Sequence, residues 1–418
     1  MSFVVFGINH RTSPLSLLEK VAIAPADIAK ALRIIQNMDD IREVVLLSTC
    51  NRTEVYATVE RFHDAHGAIR SFFCDLGDLD VNDIQPFLCY QHDEAAVRHL
   101  FNVAAGLDSA VLGEHEILGQ VKLAWDEAMH EGTSRSELNL VFRHALETGK
   151  RARTETEIGR ATASVSQAGV EMAVDAIGSL SGRTVMVVGA GDMGVGVAGA
   201  LAREGADIVV TNRTGERADD LALTVNARVA PFSSFEDELA TVDMVVTCTG
   251  AGKVILTSDM VQAARVGTSK PLLIVDIALP RDVESSVGEL PDVTLKDLSH
   301  LREWADKGRE SRAAEAARVE AIVEDEVERY VVDSSARQMA PLIAQIRELA
   351  ESIRVGELTR YEARLAALSA EQREVVESLT SGILAKLLHE PTVHLKSVSG
   401  SPQGARLAGA LRELFDLD

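Results

Sequence analysis

The residue best suited to nucleophilic chemistry lies in a short polar segment that follows a β-like run. Residues 44–47 are all apolar and lead into the sequence Ser48-Thr49-Cys50-Asn51-Arg52. At the end of a strand, Cys50 would present its thiol to solvent or to a ligand, and a thiolate there can attack an acyl carbon. We expect Arg52 or the backbone N–H groups of the turn to lower the pKa of this thiol. On composition alone, however, a lone cysteine is more often a small buried hydrophobic residue.

A glycine-rich turn is the second chemical feature. It follows the β-like run 184–188, precedes a predicted helix, and consists of Gly189, Ala190, Gly191, Asp192, Met193 and Gly194. In this G-x-G-x-x-G spacing the first glycine permits a tight turn, the second lets the backbone approach a pyrophosphate, and the third lets helix and strand pack closely. The helix N-terminus then faces the anion. The motif predicts a dinucleotide site, and the alternative is a glycine turn without a ligand.

The residues after the next β-like run indicate which dinucleotide would bind. An NAD site usually places an acidic residue there, against the ribose 2′-hydroxyl. This chain has Asn212, Arg213 and Thr214 instead. Because arginine suits a 2′-phosphate, we predict NADPH rather than NADH. The alternative is that Arg213 is simply a solvated residue.

Two other residues have simpler structural interpretations. Cys248 follows the β-like run 243–247 inside the predicted cofactor domain, and we interpret it as part of the wall of that site. His99 lies at helical spacing among apolar residues, which is typical of a core or helix-surface histidine.

The elements that must position these residues fall into distinct parts of the chain. β-like runs at 3–8, 44–47 and 55–59, followed by helical spacing from about residue 95, predict an α+β domain over residues 1–155. Further β-like runs then alternate with helices, which predicts a doubly wound parallel sheet of the Rossmann type over residues 156–297.

The remaining sequence is expected to be helical. Residues 298–340 contain no proline and are predicted to form one long spinal helix, and helices resume after Pro341. An all-helical segment over 341–418 is most simply a dimerisation domain. A solvated charged helix without a partner is the alternative.

Composition limits the classes of partner. The 418 residues include 42 Lys and Arg against 64 Asp and Glu, a net charge of −22. This charge opposes binding to nucleic acids and to anionic membranes, so any contact with nucleic acid needs a local basic patch. The four scattered cysteines predict free thiols and a cytoplasmic location, and no apolar run is long enough for a membrane span.

Taken together, these segments resemble the glutamyl-tRNA reductase family, which starts tetrapyrrole synthesis from charged tRNA. The matching segments are GINHRTSP at 7–14, STCNRTE at 48–54, GLDSAVLGE at 106–114, ILGQVK at 117–122, GAGDMG at 189–194, DIALPRD at 276–282 and LLHEPT at 387–392. They span nearly the whole chain.

The resemblance implies an activity and roles for particular residues. It implies that Cys50 forms a thioester with the glutamyl group of glutamyl-tRNA, which NADPH then reduces to glutamate-1-semialdehyde. His99 matches an activity-sensitive histidine, with a general acid/base or orienting role. The glutamyl-binding segments hold Thr49, Asn51, Arg52, Ser109, Glu114, His115, Glu116 and Gln120. We expect Arg52 to bind the substrate side-chain carboxylate and Glu114 its α-ammonium group.

The helical C-terminal segment and the implied chemistry also predict an assembly and a motion. A homodimer through the C-terminal helices is expected, together with a hinge near residue 155 or 300 that brings the cofactor to Cys50. Because the aldehyde product is reactive, contact with the aminomutase that acts next is a further hypothesis.

The sequence departs from the family pattern at several positions. Glu116 stands where Gln is frequent, which changes its hydrogen-bonding polarity because an ionised carboxylate only accepts. His115 replaces a common Pro, Leu18 a common Arg, and Cys248 a smaller or hydroxyl residue.

Two rival functions follow from parts of the chain. An NADPH-dependent dehydrogenase of a small free acid would need no Cys50. A non-catalytic dimeric NADPH-sensing scaffold would use the long helix but leave the N-terminal motifs unexplained.

Overall fold

A four-stranded antiparallel sheet with strand order β2-β3-β1-β4 opens the chain. The computed structural model describes residues 2–158, 164–268, 270–307, 313–399 and 401–417. The strands are β1 (Ser2–Asn9), β2 (Ile41–Ser48), β3 (Arg52–Val59) and β4 (Cys89–His92). Strand β3 is buried along its whole length. The strands predicted at 3–8, 44–47 and 55–59 are therefore confirmed with slightly wider bounds.

Seven helices accompany this sheet among the described residues. They are α1 (Leu15–Val21), α2 (Ile28–Gln36), α3 (Phe62–Gly77), α4 (Val81–Ile84), α5 (Asp93–Ala105), α6 (Glu116–His130) and α7 (Ser136–Glu155). Helix α5 ends at Gly106, whose positive φ of 81° suits a glycine. The result is the predicted α+β domain.

The second sheet is parallel, with strand order β10-β9-β8-β5-β6-β7. Its strands are β5 (Thr184–Val188), β6 (Asp207–Thr211), β7 (Arg228–Val229), β8 (Met244–Thr247), β9 (Leu272–Asp276) and β10 (Val293–Asp297). Its helices are α8 (Val165–Ile177), α9 (Asp192–Arg203), α10 (Gly215–Val225), α11 (Phe235–Leu239), α12 (Ser258–Ala264) and α13 (Leu298–Lys307). This is the Rossmann strand order, which reverses between β5 and β8 and opens a ligand crevice there.

The chain divides into two compact units, Met1–Glu324 and Asp325–Asp418. Within the first unit, one apolar cluster joins the α+β domain to the domain of the parallel sheet. Leu15 and Val111 from the N-terminal domain belong to the same cluster as Val185 and Val187 of β5. The cofactor fold and the α+β domain are therefore packed together.

The long helix differs from its prediction. The helix starting at Leu298 ends at Lys307, residues 308–312 lie outside the described residues, and α14 covers Ala313–Arg360 with Pro341 inside it. The expectation of one helix ending near Pro341 is wrong because tertiary packing outweighs the helix-breaking effect of proline. Leu342 is fully buried in a cluster with Leu395.

Three shorter helices complete the second unit. They are α15 (Glu362–Leu365), α16 (Ala370–Ser397) and α17 (Pro402–Phe415). Helix α16 begins with a capping box in which Ser369 and Gln372 satisfy each other's backbone N–H groups. No helix among the described residues is both long enough and apolar enough to cross a membrane.

Candidate active site

Cys50 lies in the tight turn between β2 and β3. The turn is closed by a hydrogen bond from Thr49 N to the Arg52 carbonyl, 2.8 Å long. The Thr49 hydroxyl accepts from Asn51 N at 3.2 Å, and Asn51 Nδ2 donates to Cys50 Sγ at 3.3 Å. Thr49 and Asn51 thus shape the turn and hold the thiol at the end of the hairpin.

Arg52 is committed to a buried network. Its side chain is 1% exposed, and Nη1 lies 3.0 Å from Glu54 Oε1 and 2.9 Å from Asp108 Oδ2. Nη2 donates to the Asp108 carbonyl oxygen. In this arrangement a substrate carboxylate would have to displace these acceptors, so the contact expected between Arg52 and substrate stays a prediction.

Glu54 connects this network to His99. The Nε2 atom of His99, on α5, lies 3.0 Å from Glu54 Oε1, and the Tyr56 hydroxyl donates to Glu54 Oε2 at 2.6 Å. Burial alone would raise the pKa of Glu54, but Arg52 and His99 hold it well below its usual range. The network is therefore anchored on an ionised carboxylate.

The same groups have the spacing of a metal site. Glu54, His99 and Asp108 offer ligand atoms within 4.8 Å of one another. However, Arg52 already supplies a positive charge between the two carboxylates. We assign no metal here.

The electrostatics of Cys50 differ from the sequence-based expectation. Burial, with added repulsion from the Glu114 and Glu116 carboxylates, raises the pKa of Cys50 to about 12, and Arg302 acts in the opposite direction. The expected net lowering is therefore wrong: the Cys50 backbone N–H does lower the pKa, but burial and the two carboxylates outweigh it, and Arg52 is ion-paired with Glu54 and Asp108. In this state Cys50 is a thiol rather than a thiolate.

The predicted glutamyl-binding segment contributes the carboxylates that face the thiol. Glu114 is 4% exposed, and burial, opposed by a hydrogen bond with Ser109, raises its pKa from 4.5 to about 7. Burial and the nearby Asp192 raise the pKa of Glu116, the first residue of α6. The structure brings Ser109, Glu114 and Glu116 together.

The same segment holds two more predicted glutamyl-binding residues, His115 and Gln120. His115 is exposed at the N-cap position of α6, and Gln120 is half-buried about one turn further along. Within the described part of the chain, no hydrogen bond or ion pair joins either side chain to the Cys50 turn. Their contact with substrate stays a prediction.

The glycine turn fits a dinucleotide. Gly189 has a φ of 118°, a value that disfavours other residues, and a side chain at Gly194 would collide with the Gly189 carbonyl oxygen. Around Gly191 the space is open, so a pyrophosphate could approach the backbone at the start of α9. Cys248, after β8, is buried with Sγ 3.4 Å from the Val188 carbonyl oxygen, which fits a wall of the crevice.

The end of β6 carries the residues predicted to select the nucleotide. Asn212 Nδ2 donates to the Thr214 carbonyl at 2.9 Å, and Arg213 is exposed. Arg213 has no ion-pair partner among the described residues. Its guanidinium is therefore available for an anion.

One apolar cluster spans the boundary between the two domains of the first unit. Cys50, Ala190 and Met193 pack against the same apolar cluster. Arg302 Nη2, from α13, lies 3.1 Å from Asn51 Oδ1, and Arg281 Nε lies 2.7 Å from Glu19 Oε1. The domains are docked in this arrangement, and the hinge expected near residue 155 or 300 stays a prediction.

Sequence reasoning missed three functional candidates. Glu54 and Asp108 lie inside the quoted motifs, and the spacing of Arg52 and Glu54 on one strand face could have suggested their ion pair. Arg302 comes from a distant helix, and nothing in the local sequence indicates its contact with Asn51.

Fold and site together define a protein with a dinucleotide-binding dehydrogenase domain and a cysteine near the boundary with that domain. Three family models match in order: Glutamyl-tRNAGlu reductase, N-terminal domain, over residues 6–156; Shikimate / quinate 5-dehydrogenase over 171–304; and Glutamyl-tRNAGlu reductase, dimerisation domain, over 318–417. The chain belongs to the glutamyl-tRNA reductase family.

Full-length relatives support this membership. A glutamyl-tRNA reductase of Thermobifida fusca is 37% identical, and one of Geobacter sulfurreducens is 38% identical; each comparison covers 100% of this chain and 96% of the relative. The solved structure of glutamyl-tRNA reductase from Methanopyrus kandleri is 34% identical, with a TM-score of 0.54 over 99% of both chains.

Proposed function

We propose that this protein reduces glutamyl-tRNA to glutamate-1-semialdehyde with NADPH, the step that opens the C5 route to 5-aminolevulinate and tetrapyrroles. The observation that carries the proposal is that Cys50 packs against the same apolar cluster as Ala190 and Met193 of the glycine turn, in a chain that matches glutamyl-tRNA reductases from end to end. The cysteine supplies acyl chemistry, and the neighbouring domain supplies redox chemistry.

The proposed role of Cys50 is to make a reducible acyl group. A free carboxylate resists hydride because it is already anionic and resonance-stabilised, whereas the tRNA ester is activated. The Cys50 thiolate attacks the ester carbonyl, a C–S bond forms, and the C–O bond to the tRNA 3′ end breaks. The leaving oxygen takes a proton, and the glutamyl group remains as a thioester on Sγ.

The residues present fit NADPH as the reductant. Gly191 leaves room for a pyrophosphate at the N-terminus of α9, and Arg213 offers a cation where the 2′-phosphate of this nucleotide would lie. When bound, NADPH supplies the hydride that reduces an acyl group to an aldehyde.

Glu114 and Glu116 have a proposed role in activating the thiol. Both carboxylates oppose ionisation of Cys50. If the substrate α-ammonium pairs with Glu114, one of these negative charges is neutralised and the Cys50 pKa falls. Substrate binding therefore promotes formation of its own nucleophile.

His99 is proposed to move a proton. One ring nitrogen is engaged by the Glu54 carboxylate, which orients the imidazole and leaves Nδ1 for exchange. The same Glu54 carboxylate is ion-paired with Arg52, which begins the strand after the Cys50 turn. We therefore assign His99 an acid/base role that depends on this pair.

Recognition of the tRNA is proposed to rely on the acylated 3′ end. With a net charge of −22, the protein has little general attraction for phosphates. We expect few phosphate contacts and an affinity that falls as salt rises. The predicted compartment stays the cytoplasm, and contact with an aminomutase stays a hypothesis.

The second unit is proposed to form a homodimer. Helix α16 carries four exposed apolar residues at four-residue spacing, namely Val375, Leu379, Ile383 and Leu387, which are 62%, 61%, 51% and 66% exposed. Such a stripe lies on one helix face. The family's dimerisation-domain match over 318–417 supports a second copy of the chain as the partner for this face.

The experiment that tests the function measures NADPH oxidation with glutamyl-tRNA, and with free glutamate plus uncharged tRNA. Wild type should consume NADPH only with the charged tRNA. In Cys50→Ser the rate of NADPH oxidation should fall at least 100-fold. Cys89→Ser is the matched control and should retain activity. Turnover by Cys50→Ser, or equal use of free glutamate, would favour the small-acid dehydrogenase instead. NADPH binding without turnover of any acyl substrate would favour the sensing scaffold.

A further inference from the structure

Arg302 reaches Cys50 from the cofactor-binding side through two hydrogen bonds. It lies on α13, which follows the last strand of the parallel sheet. Its Nη2 atom donates to Asn51 Oδ1 at 3.1 Å, and Asn51 Nδ2 donates to Cys50 Sγ at 3.3 Å. The Asn51 amide therefore has each end fixed by a different domain.

Other arginines near the site are already occupied. Arg52 is ion-paired with Glu54 and Asp108. Arg153 directs its terminal nitrogens to the carbonyl oxygens of Ala104, Gly149 and Glu114. Neither provides a free cation for the thiol.

Arg302 differs from these arginines. In the described part of the chain it forms no ion pair, and its buried Nε has no hydrogen-bond partner. The nearby Asp297 attracts it, but that carboxylate is hydrogen-bonded to His300. A partly buried cation without a paired anion is unfavourable, so its position indicates an anion that forms during function. The adjacent group able to become that anion is the Cys50 thiol.

We propose that Arg302 is a positioning residue for the nucleophile: through Asn51 it fixes Sγ of Cys50, and its charge stabilises the thiolate. Because α13 belongs to the cofactor-binding side, Arg302 acts on the Cys50 turn only while the two domains are docked. This inference rests on the proposed role of Cys50.

The charges around the thiol fit this assignment. Glu114 and Glu116, at the start of α6, raise the Cys50 pKa, and Arg302 is the side chain whose charge lowers it. Without Arg302, burial and two carboxylates would oppose ionisation with no compensating cation.

Alkylation of Cys50 in the full-length protein tests the inference. Rates with neutral iodoacetamide and anionic iodoacetate are measured at pH 8 by mass spectrometry of the Cys50 peptide, so the other cysteines do not interfere. Arg302→Gln should slow iodoacetamide about threefold to tenfold because less thiolate is present. It should also lower the iodoacetate-to-iodoacetamide rate ratio, which reports local charge independently of thiolate fraction. Arg302→Lys should restore most of the iodoacetamide rate and most of the rate ratio.

Arg281→Gln is the matched control, because Arg281 also joins the two domains but pairs with Glu19 away from the thiol. It should leave the rate ratio unchanged. Equal effects of Arg281→Gln and Arg302→Gln would overturn the proposal, since loosened docking would then explain both. Unchanged alkylation in Arg302→Gln would also overturn the proposal. If Arg302→Gln does not fold, Arg302→Lys takes its place as the test, and a rate ratio that differs from that of wild type would overturn the proposal.

Steady-state kinetics separate a positioning role from substrate binding. Arg302→Gln should lower kcat at least tenfold with little change in KM for glutamyl-tRNA. A raised KM with unchanged kcat would show that Arg302 binds the substrate instead. If Cys50→Ser kept its activity, the proposed function would fail; if Cys50→Ser were inactive and Arg302→Gln normal, only the inference would fail.

Discussion

Nε2 of His99 lies 3.0 Å from Oε1 of Glu54, and the same carboxylate oxygen accepts from Arg52 Nη1 at 3.0 Å. Within the described residues, no hydrogen bond joins His99 directly to Cys50. The histidine is therefore held by a buried ion pair on the strand that follows the Cys50 turn rather than by the thiol itself. This arrangement makes Glu54 both a structural and a functional residue.

Replacing Glu54 by glutamine should be strongly destabilising. It leaves the fully buried Arg52 with Asp108 as its remaining anionic partner, and we expect a loss of about 3 kcal/mol in the free energy of unfolding. Urea unfolding at pH 7 measures the change. Glu324→Gln removes an exposed partner of Arg98 and should cost less than about 1 kcal/mol. Similar losses in the two variants would contradict the buried network.

Glu114 should make stability depend on pH in the direction opposite to Glu54. Its folded-state pKa is raised from 4.5 to about 7, so the protonated form is favoured by folding. The stabilisation is complete below pH 4.5 and is lost as the pH rises through 7. Glu114→Gln should therefore be more stable than wild type at pH 8, by about 2 kcal/mol, and should lack this pH dependence. Parallel unfolding profiles of wild type and Glu114→Gln from pH 5 to 8 would refute the assignment.

Glu116→Gln should make Cys50 more reactive. Glu116 raises the Cys50 pKa, and glutamine removes its charge while keeping its size. We expect iodoacetamide to alkylate Cys50 about threefold faster at pH 8. Glu127→Gln, on the same helix but outside the set of charges that shift the thiol, should behave like wild type. A slower reaction in Glu116→Gln would mean that this carboxylate helps to ionise the thiol.

Local patterns predicted the parts of this molecule that depend on local sequence. Strand β5 matches its predicted bounds, 184–188, because central parallel strands are nearly continuous apolar runs. The helix through Pro341 was missed because the packing of Leu342 depends on residues more than fifty positions away. Likewise, the Cys50 pKa reflects Glu114, Glu116 and burial rather than its neighbour Arg52. Charge compensation over long sequence separations is what the sequence pattern could not reveal.

The apolar stripe on α16 should control the oligomeric state. Leu379→Asp places a charge in the centre of the stripe, where burial against a second copy would be very unfavourable. Light scattering should show a monomer for this variant and a dimer for wild type. Leu223→Asp, at a residue that is 83% exposed on α10, should remain dimeric. A dimeric Leu379→Asp would place the interface on another face.

Arg213 should decide between the two nicotinamide dinucleotides. Its exposed guanidinium follows β6 and has no ion-pair partner in the described residues, so it can pair with a 2′-phosphate that NADH lacks. Arg213→Ala should raise the KM for NADPH about tenfold or more and leave the KM for NADH nearly unchanged. Arg217→Ala, in the first turn of α10, is the control for a general loss of positive charge. If Arg213→Ala weakened both nucleotides equally, or if Arg217→Ala had the same selective effect, the 2′-phosphate would be recognised elsewhere.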